Sequence, residues 1–211
     1  MLSDLQRRVR EILAGLPEAE TFALAGGAAL IVTGVVDRLT NDLDYFTPHP
    51  QTVGDLSDAV QAALSDAGLT VTVIRSSESY VQLQVSTGDE TTNIDLATDY
   101  RMMEARITEE GFVLVVDELA ADKVLALEAR GAPRDYIDFA ALCDRFGVAE
   151  MCELAGGKDV GFDRARLAER LARFFELPPR VFRLDDSDYE GLRVSIEAAL
   201  ADLEEAISQR E

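Results

Sequence analysis

Histidine, cysteine and basic residues are scarce in this chain of 211 residues, and each scarcity removes a class of function. A single histidine, His49, and two cysteines, Cys143 and Cys152, exclude a Cys/His zinc site and make a disulfide framework unexpected. Both thiols are expected to be buried. Six prolines and fourteen glycines are too few for a disordered or low-complexity chain, and 47% apolar residues suffice for a real core. Long apolar runs are missing as well. The longest, Phe22 to Val36, is too short to cross a bilayer and is interrupted by glycines, so no membrane association is expected. The opening residues MLSDLQRRVREILAGL place Arg7, Arg8 and Arg10 inside an amphipathic helical period, which is not the layout of a secretory signal. A cytoplasmic location is the expectation.

Positive charge is the largest deficit. Forty carboxylates face twenty Lys plus Arg, a formal charge of −20, which argues against broad adhesion to nucleic acid or to an anionic membrane. A local basic patch remains open, because fifteen of the twenty cations fall in residues 101–211.

The hydrophobic pattern predicts an α+β protein, with a mixed-sheet domain over residues 1–115 and a C-terminal helix bundle over 116–211 packed against it. Residues 2–15 read as an amphipathic helix, 21–26 as a buried strand and 28–35 as the helix after it. A short alternating strand over 41–47 is followed by a helix over 53–67. Three strands start at Thr70, Tyr80 and Thr91, and a further one covers 112–116. From Glu118 onward the period is almost wholly helical.

Chemistry concentrates in Asp42-Leu43-Asp44. Side chains two apart on a strand point to the same face, so these carboxylates lie side by side and need a counter-charge. A divalent cation shared with substrate phosphates is one answer, and solvent on the polar side of an edge strand is the other. Two further features bear on the choice. Gly26-Gly27 closes a buried strand and opens a helix, which suits backbone approach to a phosphate and equally suits a plain tight turn. Asp95 sits between the apolar Ile94 and Leu96, where an acid is unexpected unless it points into a polar or metallated site. Three strand carboxylates behind a glycine turn are the ingredients of two-metal phosphoryl or nucleotidyl transfer.

The stretch FALAGGAALIVTGVVDRLTNDLDYFT, with a later strand Asp, resembles the glycine turn and D-x-D of the polymerase-beta-like nucleotidyltransferase superfamily. The block DELAADKVLALEARGAPRDYIDFAAL is similar to the signature of its AbiEii/MenT-type toxins from bacterial toxin–antitoxin systems. This resemblance implies that Gly26 and Gly27 form the phosphate turn and that Asp42, Asp44 and Asp95 bind Mg²⁺ (or Mn²⁺). It makes Lys123 the cation on the nucleotide phosphates and Asp138 an acid of the second motif. Lys123 lies on an otherwise apolar helix face, where an ammonium needs an anion or must snorkel to the rim. Arg130, two turns on, falls on the same face and could reach the same phosphates. The turn lacks the hydroxyl of the Gly-Ser found in many superfamily members.

The activity so implied is transfer of an NMP from an NTP to the 3′ end of tRNA, blocking aminoacylation and growth, with a cognate antitoxin as protein partner. A tRNA substrate would need positive charge, and Arg166, Arg170 and Arg173 share a helical face that could contact phosphates or simply pair with nearby acids. The strong negative charge equally suits an antibiotic-type nucleotidyltransferase acting on a small cationic acceptor. A non-catalytic binding module on the same fold is the third possibility.

Overall fold

The computed structural model describes residues 1–209 and divides into two compact units, Met1–Leu119 and Ala120–Glu211. The first unit opens with α1 (Asp4–Ala14), whose start is fixed by Ser3: its hydroxyl accepts from Gln6 N at 3.2 Å while Gln6 Oε1 accepts from Ser3 N at 3.0 Å. Then come β1 (Ala23–Ala25), α2 (Gly26–Val32), β2 (Asp42–Thr47) and α3 (Val53–Asp66). The strands β3 (Thr70–Ser76), β4 (Tyr80–Thr87) and β5 (Glu90–Thr98) form a meander, followed by β6 (Arg106–Thr108) and β7 (Gly111–Val113). All seven strands join one mixed sheet in the order β3-β4-β5-β2-β1-β7-β6. The fold class is therefore α+β. The three-residue β6, with Ile107 exposed, carried too little pattern to be seen in the sequence.

Two parallel pairings, β2 with β5 and β1 with β7, sit among antiparallel ones. Along β2, Leu43 and Tyr45 are buried; along β4, Val81, Leu83 and Val85; along β5, Ile94 and Leu96. These side chains share one face of the sheet, with the buried Leu56, Val60 and Leu64 of α3 and Leu5, Val9 and Leu13 of α1 completing the core. A one-residue slip of β5 would turn Ile94 and Leu96 out and Asp95 in. At about 1.5–3 kcal/mol per apolar side chain that costs several kcal/mol, so packing enforces the register that places the acids on the opposite face. Arg10, also buried, is neutralised there by Glu110.

The second unit takes up the rest of α4 (Val116–Ala129) and contains α5 (Pro133–Phe146), α6 (Val148–Lys158), α7 (Arg164–Ala172) and α8 (Asp186–Ser208). Asp163 and Asp185 cap α7 and α8, accepting from Ala165 N at 2.8 Å and from Asp188 N at 2.9 Å. Its core is aromatic: Tyr136, Phe174, Phe182 and Tyr189 pack with ring centroids 4.9–6.1 Å apart. Cys152 is buried as expected, whereas Cys143 is only half-buried; neither is in a disulfide. No helix of the described residues is long and apolar enough to cross a membrane.

Candidate active site

The sheet register brings the strand carboxylates together. Asp44 lies directly opposite Asp95 on the parallel neighbour β5, and Asp42 lies opposite Asn93. Registered side chains share a face, so Asp42, Asp44 and Asp95 all stand on the polar side of the sheet, with the Asp44 and Asp95 strands about 4.8 Å apart. Each is half-buried. Asp95 Oδ1 accepts from Tyr80 Oη at 3.0 Å and from Gln82 Nε2 at 2.9 Å. Asp42 Oδ1 accepts from Asn93 Nδ2 at 3.1 Å. Burial and the Asp95 charge push the Tyr80 phenol up to about 12, so it remains a donor throughout the working pH range.

The glycine turn adjoins this face. Ala25 is registered with Asp44, and the chain then turns at Gly26 with φ +59°. A β-carbon on Gly26 would stand 1.9 Å from Asp44 Oδ2, so the carboxylate rests on a backbone that only glycine can present. A β-carbon on Gly27 would stand 2.7 Å from Arg38 Nη2. Arg38 thus brings a guanidinium to the turn, a cation that sequence reasoning did not select because residue 38 falls in an irregular segment. Glu118 was also missed: fully buried, it accepts from Met102 N and Met103 N, the latter at 2.9 Å, and ties the connection between β5 and β6 to the start of α4.

In the helical unit Lys123 does find an anion. Its Nζ lies 2.8 Å from Asp138 Oδ2, and the pair is buried, Lys123 at 5% exposure and Asp138 at 0%. Arg130 is held by Asp135 through two bonds of 2.8 Å while its side chain remains half exposed. Asp135 Oδ2 also accepts from Ala132 N at 3.0 Å, capping α5. Burial opposes the charge on Asp135, but the Arg130 hydrogen bonds and charge prevail and hold its carboxyl below the ordinary 3.8.

Of the three arginines that could contact phosphates or pair with nearby acids, two are engaged within the unit. Arg166 Nε donates to Glu128 Oε1 at 2.9 Å, and Arg170 donates to the α4 carbonyls of Glu128 and Ala129 at 3.1 Å each. Cations at a helix C-terminus satisfy orphan carbonyls and oppose the dipole. Arg173 is exposed.

Carboxylate oxygens are the hard donors that Mg²⁺ or Mn²⁺ takes. Among the described residues no group of three or more His, Cys, Asp or Glu side chains is arranged to hold a metal ion, so Asp42, Asp44 and Asp95 share a face without forming a complete ion site by themselves. Mg²⁺ typically uses one or two carboxylates with substrate phosphates and water completing its shell, and paired acids beside a side-chain-free turn suit that arrangement.

A mixed sheet carrying a glycine turn, a D-x-D strand and a third Asp on the adjoining parallel strand, followed by helices, defines a nucleotidyltransferase-type protein. Solved structures bear out the fold. The crystal structure of JHP933 from Helicobacter pylori aligns with a TM-score of 0.58 and 16% identity, covering 100% of this chain and 96% of that one. A second H. pylori protein, provisionally described as a nucleotidyltransferase, aligns with a TM-score of 0.59 and 14% identity, covering 99% of each chain. No curated protein matches this chain. Residues 10–186 match the nucleotidyl transferase AbiEii toxin family of type IV toxin–antitoxin systems, and the chain belongs to that family.

Proposed function

We propose that this chain transfers an NMP from an NTP to the 3′-terminal hydroxyl of tRNA, blocking aminoacylation, with a cognate antitoxin as its protein partner. The single observation that carries the reading is the registered pair Asp44 and Asp95, with Asp42 on the same face and Gly26 beneath Asp44. Two divalent ions, when bound, would activate the acceptor hydroxyl and offset charge on the phosphates.

Everything else falls to the chain. Asp42, Asp44 and Asp95 would hold the ions together with the substrate phosphates, and the turn at Gly26 and Gly27 lets a triphosphate approach backbone with no β-carbon in the way. By the resemblance, Lys123 is the cation for the nucleotide phosphates, and Arg130, two turns on along the same face, is the second; within their own unit they are paired with Asp138 and Asp135. The hydroxyl oxygen bonds to the α-phosphorus as the bond to the bridging β-phosphate oxygen breaks. Pyrophosphate leaves, and the hydroxyl proton passes to solvent.

The charge of −20 and the engagement of Arg166 and Arg170 favour a second reading, in which the acceptor is a small cationic molecule of the aminoglycoside type. Incubation with each α-labelled NTP, bulk tRNA and an aminoglycoside panel separates the two. Label in tRNA that Asp44→Asn abolishes supports the first; label in an aminoglycoside supports the second. Transfer that survives Asp44→Asn refutes the site.

A further inference from the structure

Asp95 is steadied by neutral donors from the neighbouring strand. On β4, antiparallel to β5, Gln82 is registered with Asp95 and Tyr80 with Ala97, so Gln82 and Tyr80 rise on the carboxylate face beside Asp95. Their donors converge on one oxygen, Oδ1, at 2.9 and 3.0 Å. Among the described residues no donor reaches Asp95 Oδ2. The terminal torsion of an aspartate is soft and roughly two-fold, so two donors on one oxygen select one orientation of the group.

Resting on the reading of these acids as the ion site, we propose that Tyr80 and Gln82 are positioning residues for Asp95, pinning Oδ1 so that Oδ2 is presented to the ion. The choice of donors is physically pointed. An arginine or lysine in the same place would orient the carboxylate equally well but would neutralise it and compete with the cation. A phenol and an amide orient Asp95 and leave its negative charge for a divalent ion.

The test measures ion binding directly. Mn²⁺ is titrated into the protein with each NTP and no acceptor, and free Mn²⁺ is followed by its electron paramagnetic resonance signal. Wild type, Tyr80→Phe/Gln82→Leu and Asp44→Asn are compared, alongside kcat and KM in the transfer assay. The double variant should raise the half-saturating Mn²⁺ concentration about 10–100-fold. Its kcat should fall while the KM for NTP at saturating Mn²⁺ stays unchanged, which a purely structural role would not produce. If the double variant binds Mn²⁺ like wild type while Asp44→Asn does not, the positioning role is overturned and the ion site stands. If wild type takes up no Mn²⁺ with any NTP, or Asp44→Asn changes nothing, the ion site fails and the positioning role with it.

Discussion

Removing either charge of the Lys123–Asp138 pair tests whether burial or catalysis accounts for Lys123. The ammonium and carboxylate stand 2.8 Å apart with side-chain exposures of 7% and 0%. Breaking a buried pair by removing one partner costs about 3–5 kcal/mol. For a chain of this size each kcal/mol lowers the thermal midpoint by roughly 2–4 °C, so Lys123→Met and Asp138→Leu should each lose roughly 6–20 °C. The double variant Lys123→Met/Asp138→Leu replaces the pair by apolar groups and should recover to within about 1–2 kcal/mol of wild type, giving a favourable coupling energy in the double-mutant cycle. Thermal unfolding followed by circular dichroism reads all four proteins. A single-variant loss under about 1 kcal/mol, or a double variant no better than the worse single, refutes the claim that these two side chains compensate each other. Nucleotidyl transfer by the same four proteins then assigns the role of Lys123. If Lys123 acts on phosphates, the double variant regains stability without activity; if it is structural only, both return together.

Gly26→Ala should lower stability by about 1–2 kcal/mol, the cost of a left-handed backbone for a residue with a β-carbon. Because that carbon would stand 1.9 Å from Asp44 Oδ2, transfer activity should fall further, roughly 100-fold. A Gly26→Ala protein with wild-type turnover would dissociate the turn from the carboxylate. The Arg130–Asp135 clamp predicts a pH dependence. Its depressed carboxyl pKa gives stability that is present above the ordinary carboxylate value and is lost as pH falls through the folded value. Arg130→Gln removes the hydrogen bonds and charge that depress it, so acid unfolding should begin at higher pH than in wild type; an unshifted acid profile contradicts the assignment.

The parts of this molecule that were legible in the sequence are those written in local periodicity. Asp42 and Asp44 are two residues apart on a strand, and the flanking Leu43 and Tyr45 fix which face is buried. Asp95 was visible for the same reason, as an acid between two core residues. Its pairing with Asp44 was not, because nothing local states that β5 lies beside β2 rather than another strand. Lys123 shows the same boundary. Its apolar surroundings demanded an anion, and the helix packing of the second unit brings Asp138 to it, a partner that local spacing does not name. Arg166 and Arg170 do share a face, but helical spacing does not say what that face meets, and here Arg166 meets the Glu128 carboxylate and Arg170 the C-terminal carbonyls of α4.

The supporting donors Tyr80, Gln82 and Asn93 were hidden for a deeper reason. Each occupies the polar position of an alternating strand, where any solvent-tolerant residue satisfies the pattern equally well. Only the register of β4 on β5 and of β5 on β2 distinguishes a glutamine facing water from one facing a carboxylate. The acids could therefore be named from sequence because burial pressure made them conspicuous. The groups that orient them could not, because their chemistry is ordinary and only their address in the sheet is specific.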